Sequence, residues 1–82
     1  MSETYRDLLN RIQVRFKKMS KGQKAIANYI QENYDKVAFM TASHLGNTVG
    51  VSESTVVRFA NMLDYDGYPK LQKALQIGRA HV

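Results

Sequence analysis

The chain has 82 residues, twelve Lys plus Arg against seven Asp plus Glu for a net charge of +5, and no cysteine. That length suits one small domain whose apolar residues are committed to a single core, leaving little for an enclosed active site. The missing cysteines exclude disulfides, thiolate zinc sites and cysteine nucleophiles and fit a reducing compartment, while the basic balance favours a polyanionic partner.

The opening MSETYRDLLNRIQ is charged too early for a signal peptide, and no apolar run approaches the roughly 20 residues that span a bilayer. The expectation is a cytoplasmic protein with no membrane partner. Arg6, Arg11, Arg15, Lys17, Lys18, Lys21 and Lys24 all fall in the first third, whereas the acidic residues are scattered singly.

Tyr5, Leu8, Leu9, Ile12 and Phe16 recur at intervals of three and four, predicting a first helix over about residues 3–17. Asp7 and Arg11 stand one turn apart on its wet side. SKGQ opens a second helix, since Ser20 caps the backbone and Gln23 reaches back to it; Ile26, Tyr29, Ile30 and Tyr34 form its stripe. DKVAFM, at 35–40, is too apolar for a free loop and predicts a turn or short helix packed on the core.

Thr41 caps a third helix that turns Ala42, Leu45 and Val49 inward and stops at Gly50, the residue that enters the left-handed conformation without steric penalty. Ser52 caps a fourth helix that reaches about Leu63. After a turn at 64–67, Pro69 sits where proline suits a helix start, and Leu71, Ala74 and Leu75 give a fifth helix its apolar face. No stretch alternates as a strand does. The sequence therefore predicts an all-α bundle of about five helices containing a helix-turn-helix. Residues 1–77 form the domain, and 78–82, ending GRAHV, are a linker or appended tail.

The stretch GVSESTVVRFAN, residues 50–61, carries the functional signal. Two short helices joined at a glycine corner are the helix-turn-helix outline. Here each position also meets a physical demand. Leu45, Val49, Val51, Val56 and Phe59 are apolar, Gly46 permits close approach, Gly50 makes the turn, and Val51 plugs the corner. On the fourth helix Val56, Phe59, Ala60 and Leu63 share one arc, while Ser54, Arg58 and Asn61 share the opposite one. That outward arc is polar yet carries one charge, and its short or planar groups suit base edges better than the Lys and Glu of a merely solvated face.

Arg58 is the first choice for a base or phosphate contact, because its planar fork matches guanine in the major groove; a salt bridge to Glu53 or another acid is the rival role. Glu53, Ser54 and Thr55, with the capping Ser52, occupy the helix end that enters the groove first. Glu53 either accepts from cytosine or complements the helix dipole. Val57, beside the arc, either packs half-buried or meets thymine methyls. Thr41 and Ser43 are phosphate donors, with plain capping the alternative for Thr41. Lys21 and Lys24 are further phosphate candidates, and Tyr65 and Tyr68 either pack or touch the DNA backbone. His44 is a lone surface imidazole, and His81 lies in the tail.

An enzyme reading lacks parts: there is no histidine with a convincing acidic partner, no phosphate-cradling glycine loop and no metal-ligand spacing, and no cofactor is expected. The competing function is a protein-interaction or dimerisation module on a helix-turn-helix scaffold. If the chain works as a homodimer, the first helix, with Leu8, Leu9, Ile12 and Phe16, is the candidate joint; burial in its own domain is the alternative.

The segment KMSKGQKAIANYIQENYDKVAFMTASHLGNTVGVSESTVVRFANMLDYDGYPKLQKAL resembles the N-terminal DNA-binding domain of the RpiR/MurR family of bacterial transcriptional regulators, over about residues 3–77. The resemblance rests on the capped second-helix opening, the SESTVVRF run and the Gly67-Tyr68 turn. It implies a helical domain that binds double-stranded DNA and regulates genes of sugar or amino-sugar catabolism. It also implies a phosphosugar effector acting through a C-terminal isomerase-like domain, which this chain does not contain. Asp64 departs from the glycine that the family places after the recognition helix. Aspartate tolerates the left-handed conformation better than most residues, so the fold is expected to survive with a less firmly set helix end.

Overall fold

The computed structural model describes residues 3–80, with side chains from Tyr5 to Ile77. Five helices follow one another: α1 (Glu3–Arg15), α2 (Lys21–Val37), α3 (Ala42–Val49), α4 (Glu53–Met62) and α5 (Tyr68–Ala80). No strand occurs among the described residues. α1 unwinds into a 3-10 turn at Phe16–Lys18, and α5 continues to Ala80 without a break at residue 77. His81 lies outside the described residues.

The starts of α2, α3 and α4 are set as their sequences demand. Ser20 Oγ accepts from the Gln23 amide at 3.2 Å while Gln23 Oε1 accepts from the Ser20 amide at 2.9 Å, which completes the capping box. Thr41 Oγ1 takes the His44 amide and Ser52 Oγ the Thr55 amide. Each cap satisfies a donor that a helix start otherwise leaves free.

α2 packs against α3, α4 and α5, and α1 lies across α5. Phe59 of α4 is fully buried among Leu8, Ile12, Ile26, Ile30 and Leu45, and among the described residues no polar or charged one is buried with them. The apolar face of α1 is therefore spent inside its own domain. Leu8 and Ile12 are completely covered, and Leu9 and Phe16 pack against the same core. As a dimer joint that face is unavailable, because exposing it would cost the apolar burial that attaches α1.

The stretch 35–40 is the end of α2 and the turn beyond it, with Val37, Ala38 and Met40 buried. α2 reaches it through a bend at Asn33 (φ −138°, ψ 37°), where the side-chain amide donates to the Tyr29 carbonyl one turn back. An asparagine that bonds locally in this way competes with regular helix geometry.

The carbonyls at this end of α2 are claimed by a polar stripe on α5. Tyr68 Oη donates to the Met40 carbonyl at 2.7 Å, and Gln72 Nε2 donates to the same carbonyl at 2.9 Å. Gln72 and Gln76 both donate to the Ala38 carbonyl, at 3.2 Å and 3.1 Å. Tyr68 is thus a packing residue, and burial pushes its phenol from 10.0 up to about 12.

Candidate nucleic-acid interface

The corner between α3 and α4 is built by two glycines with different tasks. Gly50 adopts φ 90° and closes α3. A β-carbon there would meet nothing within 4 Å, so the requirement is backbone conformation alone. Gly46 is a matter of space, since a β-carbon on it would lie 2.7 Å from the Val51 carbonyl oxygen. The Gly46 carbonyl meanwhile accepts from both the Gly50 amide (2.7 Å) and the Val51 amide (2.8 Å). Val51 sits over Gly22 of α2, where an added β-carbon would come within 3.1 Å of Val51 Cγ1 and 3.6 Å of Thr55 Cγ2. The start of α2 is therefore pressed against the corner at Gly22, and the neighbouring Lys21 is exposed.

α4 buries Val56, Phe59 and Ala60 and leaves Ser52, Glu53, Ser54 and Arg58 exposed. Glu53, Ser54, Val57 and Arg58 line one concavity of about 380 Å³. A second, of about 420 Å³, runs from Glu53 and Val57 to Thr41 at the start of α3 and Pro69 at the start of α5. Glu53 and Val57 line both, so the N-terminal half of α4 forms a ridge with a groove on either side. Val57 is half-buried and stands outside the side chains that pack on the core, which leaves its methyl groups on the ridge.

Arg58 makes no salt bridge or hydrogen bond among the described residues; Glu53, its expected rival partner, does not engage it. Thr41, Ser43 and Ser54 are likewise exposed, with Thr41 Oγ1 occupied as a cap acceptor. Thr55 is half-buried, its hydroxyl 2.9 Å from that of Ser52. Asn61 is exposed but stands apart from both grooves, and its Oδ1 accepts from the Gly67 amide at 3.2 Å, bracing the turn before α5.

The basic residues of the first third separate in space into two sets. Arg11 pairs with Asp7 and Arg15 with Asp64, so these guanidinium groups are engaged within the fold. Lys24 lies over the Phe16 ring at 5.4 Å, whereas Lys17, Lys18 and Lys21 are exposed around the start of α2. Sequence reasoning placed Asp7 and Arg11 one turn apart but missed the Arg15–Asp64 pair, whose partners lie 49 positions apart. It also missed the α5 stripe, for which the four-residue spacing of Tyr68, Gln72 and Gln76 beside Leu71 and Leu75 was the available signal.

A capped pair of short helices with a left-handed glycine corner and an exposed polar ridge on the second helix defines a helix-turn-helix DNA-binding domain. Residues 6–81 match the helix-turn-helix domain of the rpiR family. The chain belongs to that family, which is one of helix-turn-helix domains and not of enzymes. It is 37% identical over 67 residues to the uncharacterized HTH-type transcriptional regulator YfhH of Escherichia coli strain K12. It is 31% identical, also over 67 residues, to the HTH-type transcriptional regulator HexR of Pseudomonas aeruginosa. Each match covers 82% of this chain and 24% of the relative, so the chain spans about a quarter of the length of these proteins. No solved structure matches the chain. No helix among the described residues is long and apolar enough to cross a membrane.

Proposed function

We propose that the α4 ridge enters the major groove of double-stranded DNA, with Arg58 reading a base edge or holding a phosphate and Glu53, Ser54 and Val57 beside it. The observation that carries this reading is the exposed Arg58, unpaired among the described residues, on a ridge whose other groups are short and polar. A guanidinium left without a partner on a basic domain is available to guanine or phosphate. Thr41 and Ser43 on one side and Lys21 on the other face the flanking phosphates, while Ser52 and Thr55 hold the helix start. Asn61 takes the lesser part, because its carbonyl is committed to the Gly67 amide.

The DNA-binding unit spans residues 1–77, and 78–82 lead out of it. It serves a cytoplasmic regulator of sugar or amino-sugar metabolism genes. A phosphosugar effector acts through a further C-terminal domain, in keeping with the resemblance to the RpiR/MurR regulators. A single recognition helix contacts too few base pairs to single out one operator, so two copies act together with reading helices about 34 Å apart.

Duplex binding measured against salt concentration tests the reading. Each phosphate neutralised releases counterions, so affinity should fall steeply between low and physiological salt. An affinity that ignores salt would reject it. A protein-interaction module would place Arg58 in a contact with another protein; the match to a helix-turn-helix domain and the basic balance of the chain favour DNA over that alternative.

A further inference from the structure

α4 ends in a turn that breaks two local rules. The Asp64 amide donates to the Asn61 carbonyl at 3.0 Å and the Tyr65 amide to the Ala60 carbonyl at 3.1 Å, which is the Schellman arrangement. Its left-handed position, at φ 68°, holds Asp64 where glycine would be unstrained. A carboxylate at this place also faces the negative end of the helix dipole.

One neighbouring helix answers the second problem and holds the turn that carries the first. Arg15 Nη2 lies 2.7 Å from Asp64 Oδ2. One turn earlier on α1, Arg11 Nη1 donates to the Leu63 carbonyl at 2.8 Å, and its guanidinium lies 4.5 Å from the centre of the Tyr65 ring. Arg11 is itself held by Asp7 at 2.9 Å, and Arg15 Nη1 donates to the Arg11 carbonyl at 3.3 Å. Leu63, Asp64 and Tyr65, the three residues that finish α4, are thus each gripped by an arginine of α1.

We propose that Arg11 and Arg15 are positioning residues for DNA reading, setting the direction in which α4 presents Glu53, Ser54 and Arg58 without touching DNA themselves. The proposal rests on the DNA-reading assignment above. The N-terminal end of α4 is fixed at the Gly46–Val51 corner and its middle by the buried Val56, Phe59 and Ala60, so the grip at its far end sets the remaining tilt of the ridge. A ten-residue helix is about 15 Å long, and a shift at its far end swings the ridge. Directional base contacts tolerate displacements of only about 0.5 Å. An exposed ion pair contributes little to stability, so presentation of the ridge, more than melting temperature, should respond when the grip is cut.

The experiment compares Asp64→Asn, Arg15→Gln, their double variant, Arg15→Lys and Arg11→Met with the unaltered chain. Asp64→Asn keeps a residue that accepts the left-handed conformation and removes only the charge. The measured quantity is affinity for a duplex selected by the unaltered chain from a random library, divided by affinity for bulk random duplex; salt slope and melting temperature are recorded alongside. Asp64→Asn and Arg15→Gln should each lower the ratio about three- to tenfold, with the double variant no worse than either. Arg15→Lys should retain most of it, Arg11→Met should lower it, and the salt slope should stay put because no phosphate contact is lost. A ratio unmoved in every variant overturns the proposal, as does a slope shallower by about one in Arg15→Gln, which would make Arg15 a phosphate contact. If the unaltered chain binds no duplex, the DNA reading itself falls; if it binds and the ratio is unmoved, only the positioning role does.

Discussion

α4 and α5 each carry a stripe of polar side chains beside an apolar face, and the two stripes do opposite things. On α5, Tyr68, Gln72 and Gln76 turn toward the end of α2 and take the carbonyls of Ala38 and Met40. On α4, Glu53, Ser54 and Arg58 point to solvent along a ridge between two grooves. The difference lies in where the hydrogen bonds go. A polar group satisfied inside the fold contributes to stability, whereas one held out on a rigid helix is available to a ligand. Cutting each stripe should therefore damage a different property.

The largest effect is expected on the α4 side. Arg58→Ala should weaken duplex binding by about 1–3 kcal/mol, relaxing preference at one base pair if the guanidinium reads a base, or weakening all sequences alike if it holds a phosphate. Its melting temperature should match the unaltered chain, because the side chain makes no contact whose loss would be felt. Competition binding with single-position duplex variants separates the two modes, and unchanged affinity and specificity would remove Arg58 from the interface.

Gly50→Val tests the corner that orients the ridge. Valine at φ 90° costs about 1–2 kcal/mol in backbone strain, and the open space around Gly50 means that no collision adds to it. Denaturant titration should show that loss as a shifted midpoint with an unchanged slope. A midpoint at the value of the unaltered chain would mean that the corner accepts another conformation.

The smallest effect belongs to the α5 stripe. Tyr68→Phe removes one donor to the Met40 carbonyl while Gln72 keeps that carbonyl satisfied, so about 1 kcal/mol of stability should be lost at neutral pH. The loss should depend on pH. The Tyr68 phenol is held at about 12 in the folded chain against 10.0 ordinarily, so the fold favours its neutral form. That contribution is fully present below pH 10 and is lost as pH rises through about 12. Melting curves across this window should fall less steeply for Tyr68→Phe than for the unaltered chain, with burial of Tyr5 and Tyr65 supplying part of what remains. Duplex affinity at neutral pH should not change.

The amino-acid sequence by itself determined what depends on near neighbours. The three- and four-residue apolar spacing gave the helices, Ser20, Thr41 and Ser52 gave their starts, and Gly50 gave the corner, because caps and left-handed positions are decided within one helical turn. The outward placement of Ser54 and Arg58 was legible for the same reason, whereas the left-handed Asp64 was legible through the family resemblance, which places glycine there. Tertiary structure alone decided which polar groups were already taken. It spent Arg11 and Arg15 on the end of α4, Asn61 on the Gly67 amide, and Gln72 and Gln76 on the end of α2. It also sealed Leu8 and Ile12 of α1 inside the domain. Most of these contacts join residues more than thirty positions apart, as Gln72 and Ala38 do, and no local periodicity encodes a distance that only chain folding closes.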